Sequence, residues 1–375
     1  MSIWIDSDNG LKSLCEQLAD CQLIALDTEF IRTDTFYPKI ALIQLSDGES
    51  IWLVDVLAID DFLPLKKLLE SPDSTLIFHA CAEDLEVLDH SVNIQPIRIF
   101  DTQIAAGIVN IGYCMGYARL VESLLDIQLD KQETRSNWLA RPLTQRQLDY
   151  ATIDVLHLHS LHSILVKMLD QQNRCKWFEE ETEGLLKVVD QRKNNQDYYA
   201  RIRGAWRLNA QSLSTLRYLC QWRETIARDK DVPKSRVAKD SVLFEIAKQM
   251  PKSNRQLHAI DDWHPSSIRR YGDLILQEVE NSRDKLPDAW APQPLSNGLN
   301  TLFKNIRQSL ASIADKQKIP QEFLSNKREL EDILRSAQQG DYQLPTRIKQ
   351  GWRQQWVQPA IESELSKANL RCELL

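Results

Sequence analysis

Leu23-Ile24-Ala25-Leu26-Asp27-Thr28-Glu29-Phe30 starts as an apolar run of four residues and ends in two carboxylates. Read as a strand, its side chains alternate between two faces, so Asp27 and Glu29 project on one side, roughly 7 Å apart along the backbone. Two acids so placed can contribute to one cluster of divalent cations, which hard oxygen ligands favour. A pair of loop acids is the commoner meaning of such an ending. Working outward, similar apolar runs at Ile40–Leu45, Ile51–Val54, Leu76–Phe78 and Ile97–Phe100 predict further strands. Ser46-Asp47-Gly48-Glu49 is a hairpin signal between the second and third runs. Helical periodicity over Phe62–Leu69 and Leu85–Leu88 separates the later runs, which predicts an α/β domain whose sheet becomes parallel after its first hairpin. Leu161–Asp190 reads as helical, and no strand is expected after Leu143.

Two further acids stand at informative places. Asp84, in His79-Ala80-Cys81-Ala82-Glu83-Asp84-Leu85, follows a strand and opens a helix, so it can point back over the sheet's edge. As a first-turn acid it would equally complement the helix dipole, and Glu83 would serve as well. Thr144 and Gln147 have the spacing of a capping box, so a helix begins there and runs through Tyr150-Ala151-Thr152-Ile153-Asp154. Tyr150 and Asp154 then lie one turn apart on one face. Each feature alone has an ordinary structural meaning; the set, in this order, does not.

The segments LIALDTEF (23–30), FHACAEDLEVL (78–88) and LDYATIDV (148–155) resemble the three motifs of the DEDD exonuclease superfamily in its tyrosine subclass, and within it the ribonuclease D family. FDTQIAAGIV (100–109) and ETRSNWLARPLTQRQ (133–147) look like the stretches between those motifs. LCQWRETIARDKDVPKSRVAKDSVLFEIA (219–247) resembles the helicase-and-RNase-D C-terminal (HRDC) domain. The resemblance implies an RNase H-like exonuclease domain with a mixed sheet, followed by two all-α HRDC-like domains. It implies catalytic roles for Asp27, Glu29, Asp84, Tyr150 and Asp154, the four carboxylates holding two divalent cations, Mg2+ or Mn2+, with Zn2+ a further candidate. Asp27 would bridge the ions, Glu29 and Asp154 would hold the first, and Asp84 would serve the second. Tyr150 would orient the attacking water, since a free phenol ionises only near about pH 10. The implied reaction is 3′→5′ hydrolysis of RNA to nucleoside 5′-monophosphates, with 3′-extended tRNA precursors as expected substrates. A cytoplasmic monomer with no obligate protein partner is expected.

Beyond residue 200 the chain repeats itself at an offset of 87 residues: Ile226-Ala227 and Val232-Pro233 match Ile313-Ala314 and Ile319-Pro320. Val237, Leu243 and Ile246 match Leu324, Leu330 and Ile333, which keeps one helical register on both sides of a proline loop. The second copy has diverged, with Ser309, Leu310 and Lys327 standing where the first has Trp222, Arg223 and Asp240. These readings place the exonuclease domain at 1–190, a polar linker at 191–204, the first helical domain at 205–286 and the second at 287–375. Removing 205–375 is accordingly expected to weaken binding of structured RNA more than it slows hydrolysis of a short oligomer.

Charge follows the same division. Residues 1–170 hold 12 Lys/Arg against 26 Asp/Glu, whereas 201–240 hold 10 against 4. An acidic domain suits cations and a basic one suits a polyanion, although a solvated face is the plainer meaning of a charge run. Arg217, Arg223, Arg228, Lys234 and Arg236 are the candidate phosphate contacts there, and Trp222 shares a helix face with Leu219 and Ile226 as a core residue would. In the first domain Phe30 either stacks on terminal bases or belongs to the core on the strand's other face. His79 is either an RNA contact or a satisfied, partly buried histidine. Lys131, Arg135 and Trp138 lie in a polar stretch available to phosphates and bases.

Several classes are excluded. Seven cysteines with no C-x-x-C argue against a disulfide framework or a zinc site. The first residues lack the basic and apolar regions of a signal peptide, and no run of 18 apolar residues predicts a membrane span. HRDC domains occur in helicases, yet no G-x-x-x-x-G-K-[ST] phosphate loop is present. Two rivals remain: an exodeoxyribonuclease with the same site, because the 2′-OH is read by local pocket shape, and a non-catalytic nucleic-acid-binding protein with a vestigial site.

Overall fold

The apolar runs assemble into one six-stranded sheet in the order β1-β4-β3-β2-β5-β6. The strands are β1 (Ser2–Ile5), β2 (Leu23–Ile31), β3 (Lys39–Ser46), β4 (Ile51–Asp55), β5 (Thr75–Phe78) and β6 (Ile99–Asp101). The structure is a computed structural model describing residues 2–129, 136–191, 196–287, 290–338 and 342–368. β3 and β4 form the expected antiparallel hairpin, with Ser46 opposite Ile51 and Gly48 at φ 97° in the turn. That φ lies in the region open to glycine, and the Asp47 carboxylate accepts the N–H groups of Glu49 and Ser50. β5 pairs parallel with both β2 and β6, as the intervening helices require. β1 was not foreseen. It is four residues long and pairs parallel with β4, nearly fifty residues away, so no local pattern announces it.

Helices cover both faces. On one side α1 (Asp8–Gln17), α2 (Leu63–Leu69) and α3 (Ala82–Val92) bury Leu11, Leu65 and Leu88 against Ile24, Leu26, Ile43, Trp52 and Phe78. On the other, α4 (Thr102–Ile108), α5 (Tyr117–Leu125), α6 (Gln145–Leu156), α7 (Leu158–Gln171) and α8 (Cys175–Gln191) pack over Ala25, Leu42, Leu53 and Ile77. Ile24 and Leu26 therefore face one layer and Ala25 the other, and strand alternation carries Asp27 and Glu29 to the α6–α7 side. The stretch read as one helix over 161–190 is two, broken at Asn173 with φ 54°.

The helical copies reproduce the 87-residue offset in three dimensions. α9 (Ala210–Asp229), α10 (Lys234–Val237) and α11 (Asp240–Gln249) begin at 210, 234 and 240; α14 (Asn297–Gln317), α15 (Gln321–Leu324) and α16 (Lys327–Gln338) begin at 297, 321 and 327. α12 (Asn254–Leu257) and α13 (Pro265–Asn281) complete the first copy, α17 (Thr346–Lys349) and α18 (Gln354–Lys367) the second. Among the described residues no helix is long and apolar enough to cross a membrane.

The compact units do not follow the order of the chain. One comprises Met1–Ile31, Ile40–Asp190 and Leu295–Leu375, the other Arg32–Lys39 and Gln191–Pro294. Two expectations change as a result. Residues 196–204 are not a linker: a short 3-10 helix, Gln196–Arg201, leads a segment whose Tyr199, Ala200 and Ile202 are buried with Leu213 and Leu216. Nor is the second copy an appendage. Leu299, Ile306, Leu310 and Ile333 share one core with Ala105, Leu120 and Leu161 of the sheet's helical layer. Trp177 stacks on Trp352 at 4.6 Å between ring centroids, and Arg174 donates to the carbonyls of Ile108 (2.5 Å) and Lys318 (3.0 Å). Truncation at 205 would strip that core, so it cannot separate RNA binding from catalysis. Leu310→Ala, at a fully buried position, should cost about 2–5 kcal/mol and lower the temperature at which nuclease activity is lost on heating. An unchanged inactivation temperature would make the second copy independent after all.

Candidate active site

α6 is aimed by its ends. Thr144 Oγ1 accepts the Gln147 N–H at 3.3 Å while Gln147 Oε1 accepts the Thr144 N–H at 2.9 Å, the reciprocal capping box expected from the sequence. Ala151 and Val155, both fully buried, seat the helix on the sheet face that carries Ala25. At its far end Tyr117 Oη donates to the Ile153 carbonyl at 2.9 Å and accepts the His157 N–H at 3.1 Å, which pins the turn bearing Asp154. Asp27, Glu29 and Asp154 consequently each present a carboxylate oxygen, all within 4.8 Å of one another.

Asp84 arrives from the opposite layer. In the first turn of α3 it is buried, whereas Glu83 is exposed, which decides between the two acids. Thr28, on the strand face opposite Asp27 and Glu29, donates its hydroxyl to Asp84 Oδ1 at 2.5 Å. Asp84 stands outside the group of three, yet its charge reaches all of them.

Burial, followed by mutual repulsion, disfavours the ionised forms. Burial and then the charges of Asp84, Asp154 and Glu29 hold the Asp27 pKa well above the usual carboxylate range. Burial and then Asp154 and Asp84 push Glu29 up to about 9. Burial raises Asp154 to about 7 against the opposing hydrogen bond from Tyr150, and raises Asp84 to about 6 against that from Thr28. Burial and the neighbouring carboxylates also raise the pKa of Tyr150, whose ring lies 5.9 Å from that of Trp138. Among the described residues no Lys or Arg pairs with any of the four acids. Uncompensated oxygen donors this close fit hard divalent cations.

The other expected contacts fare differently. Phe30 is partly buried against the core beside Ile24 and Leu26, which is the core alternative. His79 is half-buried, with Nδ1 2.9 Å from Thr102 Oγ1 and its ring edge-on to Tyr117, while its buried Nε2 has no hydrogen-bond partner among the described residues. Trp138 is 4% exposed and supports Tyr150 from within the core. Lys131 and Arg135 lie outside the described residues. The sequence reading missed Thr28 and Tyr117; a hydroxyl between two motif acids was the available signal for the first, and Tyr117 had none.

In the unit built from 32–39 and 191–294, Arg223 is 3% exposed and donates to the Ala238 carbonyl (2.9 Å) and to Asp240 (2.7 Å). It is an internal strut, which corrects its assignment as a phosphate contact. Trp222 is buried edge-on to Tyr271. Arg228 and Lys234 both pair with Glu224, and Arg236 pairs with Asp34. Arg217 is half-buried, its guanidinium 5.7 Å from the Tyr218 ring centroid.

Known proteins resemble this chain in both family and fold. Residues 2–170 match the 3′-5′ exonuclease family and residues 212–279 the HRDC domain. Ribonuclease D of Pseudomonas paraeruginosa is 36% identical over 369 residues, 97% of this chain and 98% of that protein. Ribonuclease D of Escherichia coli is 34% identical over 374 residues, 97% and 98% of the two chains. The solved structure of Escherichia coli RNase D, described as an exoribonuclease involved in structured RNA processing, superposes with a TM-score of 0.88 at 33% identity, covering 98% of this chain and 99% of that one. Motifs, fold and near-complete coverage thus coincide, and the chain belongs to the ribonuclease D family of 3′→5′ exoribonucleases.

Proposed function

We propose that this protein trims the 3′ ends of structured RNA, 3′-extended tRNA precursors among them, releasing nucleoside 5′-monophosphates in a bacterial cytoplasm. The observation that carries this reading is the convergence of Asp27, Glu29 and Asp154 within 4.8 Å, with no Lys or Arg paired to them among the described residues. Two divalent cations, Mg2+ or Mn2+, would supply there the activation of water and the neutralisation of charge on the departing 3′ oxygen. Asp27, Glu29 and Asp154 would hold the cations together with Asp84, which is steadied by Thr28. Tyr150 acts as a protonated hydrogen-bond donor that orients water, since burial and the adjacent carboxylates oppose its ionisation. Residues 287–375 form a second, divergent HRDC-like domain, and Arg217, Lys131 and Arg135 remain the candidate RNA contacts. The protein works as a monomer.

Incubating the full chain with a 3′-extended tRNA and Mg2+ or Mn2+ should release mononucleotides, with RNA oligomers degraded faster than DNA of equal length. Asp27→Ala and Asp154→Ala should reduce release to background while preserving the fold. Oligonucleotide products, or equal rates on DNA, would refute the assignment.

The acidic cluster also sets a pH dependence. Its folded-state values lie above the ordinary 3.8 and 4.5, reaching about 9 at Glu29. The folded chain therefore holds more protons than the unfolded chain between about pH 4 and 9, and metal-free stability falls as pH rises across that window. Asp154→Asn should raise the metal-free Tm at pH 8, by about 2–4 °C per kcal/mol of repulsion relieved, and Mg2+ should stabilise the wild type more than the variant. A Tm that is flat with pH and indifferent to Mg2+ would count against a metal site.

A further inference from the structure

Segment Arg32–Lys39 leaves the last residue of β2 and runs into β3, yet it packs with the first helical domain. Asp231, just past the end of α9 with φ 46°, makes the central contact. Its Oδ1 accepts the backbone N–H groups of Phe36 at 3.1 Å and Tyr37 at 3.0 Å. Lys39 Nζ approaches the same carboxylate at 4.0 Å. The Arg228 guanidinium lies 4.8 Å from the Phe36 ring centroid and donates to Tyr37 Oη at 3.3 Å. Lys234 Nζ is 5.5 Å from the same ring, and Arg236 pairs with Asp34. Glu224 pairs with both Arg228 and Lys234 and so fixes the two cations that flank Phe36.

A carboxylate that accepts two successive backbone N–H groups holds the path of the chain itself, and such charge-assisted bonds are strong ones. Only Phe30 and Ile31 separate Glu29 from the gripped segment. β2 lies between β3 and β5 in the sheet, and its parallel register with β5 runs from Leu23 to Ala25, so on that edge the acids lie beyond the paired residues.

We infer that Asp231, aided by Arg228, is a positioning residue for catalysis: by gripping segment 32–39, the first helical domain keeps Glu29 in place as a metal ligand. The inference rests on the reading of Asp27, Glu29 and Asp154 as cation ligands, and it gives the helical domain a duty in catalysis apart from RNA affinity.

The test uses the full-length protein. Asp231→Gly removes the carboxylate while permitting the positive φ, and Asp231→Asn retains an acceptor oxygen at a residue that tolerates that conformation. Binding of Mn2+ without RNA is read by electron paramagnetic resonance. Turnover of a short single-stranded oligoribonucleotide is read across an Mg2+ titration, and exposure of the segment by tryptic cleavage after Arg32. Asp231→Gly should speed that cleavage, weaken Mn2+ binding by about tenfold, the low end of what outer-sphere supports contribute, and lower kcat at limiting Mg2+ with KM changed less than about twofold. Saturating Mg2+ should restore kcat, and Asp231→Asn should stay near wild type. Faster cleavage with unaltered Mn2+ binding and kcat would overturn the inference, as would a loss confined to KM. Should Asp231→Gly fail to fold, Arg228→Met, which keeps the apolar stem, is read by the same criteria. Wild type that releases no mononucleotide would instead refute the nuclease reading, so the two failures are distinguishable.

Discussion

Four carboxylates held at one end of β2 against their mutual repulsion set the terms for the rest of the molecule. At 4.8 Å and an effective dielectric constant of about 20, two full charges repel by about 3 kcal/mol. Three such pairs among Asp27, Glu29 and Asp154 rival the entire stability of an ordinary domain, about 5–15 kcal/mol. Burial and this repulsion both favour protons or cations among the oxygens, which is the direction in which the Glu29 and Asp154 values are shifted. Local structure supplies the confinement. The capping box starts α6 in register, Ala151 and Val155 seat it against the sheet, and Tyr117 fastens its last turn on both sides of Asp154. From the other layer, Thr28 fixes Asp84.

The same field decides what Tyr150 can do. A general base must spend time ionised near neutral pH, and a phenolate here would face Asp154, Glu29 and Asp27 in a partly buried place. Each neighbour disfavours that anion, so the hydroxyl is more effective as a donor whose direction is fixed. Trp138, buried behind the ring, keeps it in place. A residue that the sequence offered as a platform for bases turns out to lie against the Tyr150 ring.

What could be read in advance divides by the range of the interaction. Asp27 and Glu29 on one face, the Asp47-Gly48 turn, the capping box at Thr144 and the 87-residue repeat are all encoded in spacings of a few residues or in self-similarity, and all are found. β1, Thr28 and Tyr117 take their meaning from partners nearly 40 to 60 residues away, which no periodicity reports. Residues 196–204 were misread because polar neighbours outweighed Tyr198-Tyr199, although adjacent aromatics seldom lie idle in solvent. Arg223 was misread for a related reason: charge in a basic stretch suggests a solvated face, and only the fold reveals Asp240 and the Ala238 carbonyl around it.

That last error bears on how the helical domain can attract RNA. Counterion release counts cations free to neutralise phosphates, and in residues 201–240 several are already engaged. Arg223 is matched by Asp240, Arg236 by Asp34, and Glu224 takes up one of the two charges of Arg228 and Lys234. Arg236 and Lys234 keep exposed surface, so a phosphate can approach them, but only in competition with the protein's own carboxylates. Of these ion pairs, only Arg236–Asp34 reaches outside the stretch, so one charge of its surplus is spent on the segment that follows β2. If the grip on segment 32–39 positions Glu29 as inferred, affinity for a polyanion and placement of that acid would draw on the same few cations, Arg228, Lys234 and Arg236, and strengthening one by charge substitution would loosen the other.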